Sequence, residues 1–77
     1  QGDYGKALEY YLKALKVFVD IFGMNHPSTS KVYDNLKKAY SASGKDLGNF
    51  ESWLLGQLDE ERRVILKEWL KKEGQGV

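Results

Sequence analysis

Asp3-Tyr4-Gly5-Lys6-Ala7-Leu8-Glu9-Tyr10-Tyr11-Leu12-Lys13-Ala14-Leu15-Lys16-Val17-Phe18-Val19-Asp20-Ile21-Phe22 is the stretch whose reading decides the fold. Tyr4, Leu8, Tyr11, Leu15, Phe18 and Phe22 step by four and three, so they stack on one face of a helix. Ala7, Ala14 and Ile21 widen that face on one side, and Leu12 and Val19 widen it on the other. Lys6, Glu9, Lys13, Lys16 and Asp20 form a narrow polar stripe opposite. Glu9 and Lys13 are a favourable i,i+4 pair, worth roughly 0.2–0.5 kcal/mol. Asp3 is the expected N-cap and Gly23 the expected stop. The helix is apolar over more than half its circumference, so it needs neighbours on at least two sides, as a helix inside a repeat array does.

Outward from this helix, Asn25-His26-Pro27-Ser28 marks a second start, since proline is favoured in a first helical turn. The second helix is expected from about Pro27 to Ser43. Val32, Tyr33, Leu36, Ala39 and Tyr40 form its buried stripe, and Gly44 ends it. Lys45-Asp46-Leu47-Gly48-Asn49 reads as a turn, with Asn49 a candidate N-cap. Beyond it, Phe50, Trp53, Leu54 and Leu58 have helical spacing. Gly56 and Asp59-Glu60-Glu61-Arg62-Arg63 interrupt the apolar face, which resumes with Val64, Ile65, Leu66, Trp69 and Leu70. Two readings stay open here: two helices broken near Gln57–Asp59 with Asp59 capping the second, or one bent helix from Asn49 to Glu73. Gln75-Gly76-Val77 is expected to fray. The fold class is therefore all-α, with antiparallel helix pairs and three to four helices.

Composition bounds the rest. At 77 residues the chain is at most one small domain. It has no cysteine and a single histidine, so no disulfide, thiolate metal site or histidine cluster can staple it. Apolar residues make up 42% and charged residues 30%, the balance of a folded chain rather than a disordered one. The cysteine-free composition fits a reducing compartment, and a cytoplasmic location is the expectation. The formal net charge of +1 is far from the basic stripe that nucleic-acid binding needs. No apolar run approaches the ~18 residues that cross a bilayer. No nucleic acid, membrane, cofactor or metal is therefore expected.

The repeat pattern sharpens this reading. The stretch from Gly2 through Leu15 resembles the second helix of a tetratricopeptide repeat. Gly2 stands at the family's turn glycine, Tyr4 at the aromatic after it, Ala7 and Ala14 at its two small packing positions, and Tyr11 at the large residue between them. Tyr33-Asp34-Asn35-Leu36, followed by Tyr40 and Gly44, is similar to the first helix of the next repeat. Gly2 to Gly44 is a period of 42, longer than the ~34 of the common form. Together with the Gly23-x-x-His26-Pro27 loop it is similar to the kinesin light chain subtype. The resemblance covers residues 1–46 and opens at the second helix of a repeat. It implies further repeats upstream, with this chain at the C-terminal end of a longer array. Residues 47–77 lack the alanine pair and read as a degenerate repeat or C-terminal capping helices. Lys37 also departs, standing where the family has a small residue.

Candidate sites follow from both readings. No nucleophile–base pair, phosphate-cradling glycine loop or carboxylate cluster is present, and no strand precedes Gly2 and Gly5, so catalysis is not expected. His26 reads as a cap rather than a ligand. Tyr4, Tyr10, Tyr11, Tyr33 and Tyr40 read as packing rather than as a stacking platform for bases. Asp59 to Arg63 reads as a solvated helix start. The resemblance implies a scaffold that binds a peptide or protein in a groove lined by first helices. Lys31, Asp34, Lys38 and Ser41 would point into that groove with Asn35 beside them. Lysines can meet carboxylates, and asparagine can grip a peptide backbone. The alternative is a structural module that self-assembles into a homo-oligomer through the flank of residues 4–18. The third section could instead return over that flank with Trp53, Leu54 and Trp69. Association is the expectation, because Lys45–Asn49 is a short tether for such a return.

Overall fold

The structure, a computed structural model, describes residues 3–75. The turn glycine Gly2 and the terminal Gly76 and Val77 lie outside the described residues. Helix α1 runs Tyr4–Phe22 and helix α2 runs Pro27–Ala42. A 3-10 turn, Leu47–Asn49, leads into the short helix α3, Phe50–Gly56, and helix α4 spans Glu60–Gln75. No strand occurs among the described residues, and the fold is all-α.

Each helix end has a local cause. The Asp3 carboxylate accepts from Lys6 N–H at 3.1 Å and opens α1. Gly23 closes it at φ 77, a left-handed conformation that glycine adopts without strain. Gly44 plays the same part after α2, at φ 89. Asn49 does not cap α3 with its side chain. The entry is built one turn earlier, where the Asp46 carboxylate accepts from Gly48 N–H at 2.9 Å and starts the 3-10 turn.

Between the two open readings of the third section, the structure holds two helices. The backbone leaves α3 through a tight turn in which Gln57 N–H reaches Leu54 O at 2.9 Å. The Asp59 carbonyl then accepts from Arg63 N–H at 2.9 Å and begins α4. Gln75, which the sequence leaves to fray, is the last residue of α4.

One buried cluster joins all four helices: Leu8 and Leu15 of α1; Tyr33, Leu36 and Tyr40 of α2; Phe50 and Leu54 of α3; and Leu66 of α4. Met24 and Leu58 plug the connecting segments into the same cluster. The third section therefore returns over α1 and α2, against the expectation from its short tether. The break at Gln57–Asp59 is what makes this possible, because it reverses the chain within a few residues. Helix α4 crosses from Asp20, where Arg62 Nε donates to the carboxylate at 3.1 Å, to Tyr33, whose ring meets Trp69 edge-on at 5.0 Å. Trp53 and Trp69 pack against the cluster without being fully closed in.

Candidate functional site

Helix α2 is held against α1 by its entry. The His26 Nδ1 accepts from Ser28 N–H at 3.0 Å, and its ring stacks on Phe22 with centroids 4.2 Å apart. The fully buried Thr29 hydroxyl donates to Phe18 O at 3.4 Å, tying the two helices together. Histidine thus acts as a cap, and among the described residues no group of three or more His, Asp or Glu could hold a metal ion.

The buried side of α2 is the stripe Thr29, Tyr33, Leu36 and Tyr40. Its steps of four and three place it on one face, and the opposite face points to solvent. Tyr33 lies edge-on to Phe50 at 5.6 Å as well as to Trp69, and Tyr40 is 5.2 Å from Phe50 and 5.0 Å from Trp53. Burial, reinforced by the nearby Glu51 and Asp34 carboxylates, pushes the Tyr33 phenol up to about 12. These two tyrosines are core residues, as the sequence reading has them. Tyr4 and Tyr10, by contrast, are exposed on α1.

Of the residues mapped to a groove, Lys31, Asp34, Lys38 and Ser41 all lie exposed on the outer face of α2, and Asn35 sits half-buried at its edge. A hollow of about 430 Å³ runs along the same face, lined by Asp34, Lys37, Lys38, Ser41, Ala42 and Leu47. Three of the five mapped residues line it, while Lys31 and Asn35 do not. Lys37, Ala42 and Leu47 are additions that helix periodicity alone passes over. An apolar residue in the turn Lys45–Asn49 was the available signal, since Leu47 stays exposed there.

Among the described residues, the ion pairs join Arg62 to Asp20 and Asp59, and none engages Lys31, Lys37 or Lys38. Lys45 lies 5.9 Å above the Tyr40 ring. The outer face of α2 thus offers cations without carboxylate partners beside a small apolar floor. Such a surface can accept a carboxylate and an apolar side chain from the same ligand.

The run Asp59–Arg63 is the solvated, acids-first start of α4 that the sequence suggests, with Asp59, Glu60 and Glu61 exposed, and its two arginines add bonds to other elements. Arg62 Nη1 donates to Asp59 at 2.7 Å while its other nitrogens hold Asp20. The Arg62 guanidinium holds the Asp59 carboxyl below the usual carboxylate range, and hydrogen bonds to Asp20 and Asp59 raise Arg62 in turn. Arg63 bends back, donating to Leu55 O at 3.1 Å, which also accepts from Leu58 N–H at 3.3 Å, and to Leu58 O at 2.9 Å just beyond α3. The run is a clasp between elements.

The flank of residues 4–18 is divided by the fold. Leu8 and Leu15 are buried within the chain, so they cannot serve an oligomer contact. The open apolar residues of α1 lie around the helix from them, at Tyr4, Tyr10, Val17, Ile21 and Phe22.

A family model described as tetratricopeptide repeat matches residues 1–47. Neither a curated protein nor a solved structure matches the chain.

Proposed function

Because the chain belongs to the tetratricopeptide-repeat family, we propose that it is a protein-interaction module that takes a peptide or protein segment on the outer face of α2. The observation that carries this reading is the line of exposed Lys31, Asp34, Lys38 and Ser41 beside the hollow over Leu47, with no carboxylate of the described residues paired to its lysines. A ligand segment would seat an apolar side chain on Ala42 and Leu47. Its acidic groups would meet Lys37 and Lys38, and its backbone would bond Ser41 and Asn35. One helix offers little area, so a complete site would draw on adjoining repeats. The His26-Pro27 entry to α2 supports assignment to the 42-residue subtype similar to kinesin light chains, and the Phe22–His26 stack gives that loop a structural role.

Selection of binders from a random peptide library on the immobilised chain tests this. Selected peptides should lose at least tenfold in affinity for Lys38→Glu and for Ser41→Arg, with helicity unchanged by circular dichroism. Peptides that bind both variants as tightly as the parent would overturn the assignment to α2.

A further inference from the structure

Another hollow, of about 290 Å³, opens where three helices meet, lined by Tyr33 and Lys37 of α2, Glu51 of α3, and Trp69, Leu70 and Glu73 of α4. Lys37 is the residue it shares with the hollow over Leu47. Tyr33 is only 5% exposed, and its hydroxyl makes no hydrogen bond among the described residues. No fully closed side-chain nitrogen or oxygen among the described residues lacks a partner, so the hydroxyl is the open part of Tyr33 and it faces this hollow. Glu51 and Glu73 are exposed. The ion pairs among the described residues join Arg62 to Asp20 and Asp59, and neither Glu51, Glu73 nor Lys37 takes part in one.

We propose that this hollow takes the arginine side chain of a partner protein or peptide. Trp69 and Leu70 are half-buried and apolar, so they suit the aliphatic stem and the flat face of a guanidinium. The acceptors come from three different helices: the Tyr33 hydroxyl and the Glu51 and Glu73 carboxylates. Arginine carries five N–H donors in a flat fork and can meet several such acceptors at once. A lysine ammonium is a strongly hydrated point charge, poorly matched to a wall of indole and leucine.

The electrostatics favour a cation here. Burial raises the Tyr33 phenol first, and the Glu51 and Asp34 carboxylates add to it, so the hydroxyl stands in a negative field and keeps its proton at neutral pH. Lys37 opposes that field. It is exposed, and its long stem lets the ammonium turn towards the hollow over Leu47 instead. With two carboxylates to one lysine, the rim still carries net negative charge. The hollow over Leu47, with Lys37 and Lys38 to one Asp34, has the opposite sign. The two therefore select ligands of opposite charge, and the arginine site does not depend on the acidic ligand proposed for the α2 face.

Titration of the ¹⁵N-labelled chain with N-acetyl-arginine methylamide, at constant ionic strength, tests the site. This probe carries no carboxylate, so the lysines of the α2 face cannot hold it. One side chain binds at about millimolar strength, so a range from about 0.1 to about 50 mM covers the transition. The Trp69 indole N–H should shift, while that of Trp53, which does not line the hollow, should stay. The uncharged citrulline analogue should produce no saturable shift, and the lysine analogue should bind at least threefold more weakly. Glu51→Gln combined with Glu73→Gln should weaken arginine binding at least fivefold, and Tyr33→Phe, which keeps the core ring, at least twofold. Lys37→Gln should leave arginine binding no weaker, whereas it should weaken acidic peptides on the α2 face, so the two readings fail separately. An unshifted Trp69, equal binding of the citrulline or lysine analogue, or parent-like affinity in the double variant would overturn the proposal.

Discussion

Replacing Leu66 by alanine should cost far more than the same change at its two apolar neighbours. Leu66 is fully enclosed, while Val64 and Ile65 are about half exposed. It is also the deepest anchor of α4, whose remaining apolar contacts, Trp69 and Leu70, are only partly covered. A leucine-to-alanine change at a closed site costs about 2–5 kcal/mol, from lost transfer energy plus the cavity left behind. A chain of this size has a total stability of roughly 4–12 kcal/mol. Taking about 3 kcal/mol as the loss, the melting midpoint should fall by roughly 12–24 °C. Ile65→Ala should stay within about 1 kcal/mol, because its side chain is already half solvated. Thermal and urea melts followed by circular dichroism measure the difference, and the emission of Trp69 reports whether α4 leaves Tyr33. Equal losses at Leu66 and Ile65, or a loss under about 1 kcal/mol at Leu66, would show that α4 does not dock through this face.

Three further outcomes follow from the caps, the charges and the buried phenol. His26→Ala removes an N–H acceptor and the stack on Phe22, and should lower stability by about 1 kcal/mol, read as a midpoint shift of ~4–8 °C. Tyr33 is raised from 10.0 to about 12, so its contribution is complete below pH 10.0 and is lost as pH climbs towards about 12. Alkaline melts should therefore show a decline through that window that Tyr33→Phe lacks. Asp59 is lowered from 3.8, so its pairing with Arg62 contributes above that pH and fades as pH falls below it. The effect should be small because the pair is exposed, and about 1 M salt should erase the difference between the parent chain and Arg62→Gln in melting midpoint.

Which face of α2 lies outward was largely legible from residue order. Thr29, Tyr33, Leu36 and Tyr40 set the buried side, so Lys31, Asp34, Lys38 and Ser41 had to face outward. The hollow beside them was not legible, because Leu47 reaches it from the 3-10 turn. A turn has no hydrophobic period, so nothing in the residue order says which helix face it will lie against. Arg63 was missed for a related reason. Its bonds go to the Leu55 and Leu58 carbonyls, which come within its reach only because α3 ends at Gly56 and the chain turns there.

The sequence alone determined the all-α class, the spans of α1 and α2 and their junction at His26-Pro27. These depend on local chemistry: side-chain period, a capping side chain, proline in a first turn, and glycine where φ turns positive. Tertiary structure decided how α1 divides its wide apolar surface. Both Leu15 and Ile21 look suited to a core, yet Leu15 is buried and Ile21 stands open. It likewise chose Leu66 from the run Val64-Ile65-Leu66 as the residue that enters the core. Three consecutive apolar residues span nearly the whole turn of a helix, so period cannot rank them. The choice falls to the direction from which α4 arrives, and that is set by the reversal at Gln57–Asp59 and by the grip of Arg62 on Asp20, forty-two residues away along the chain.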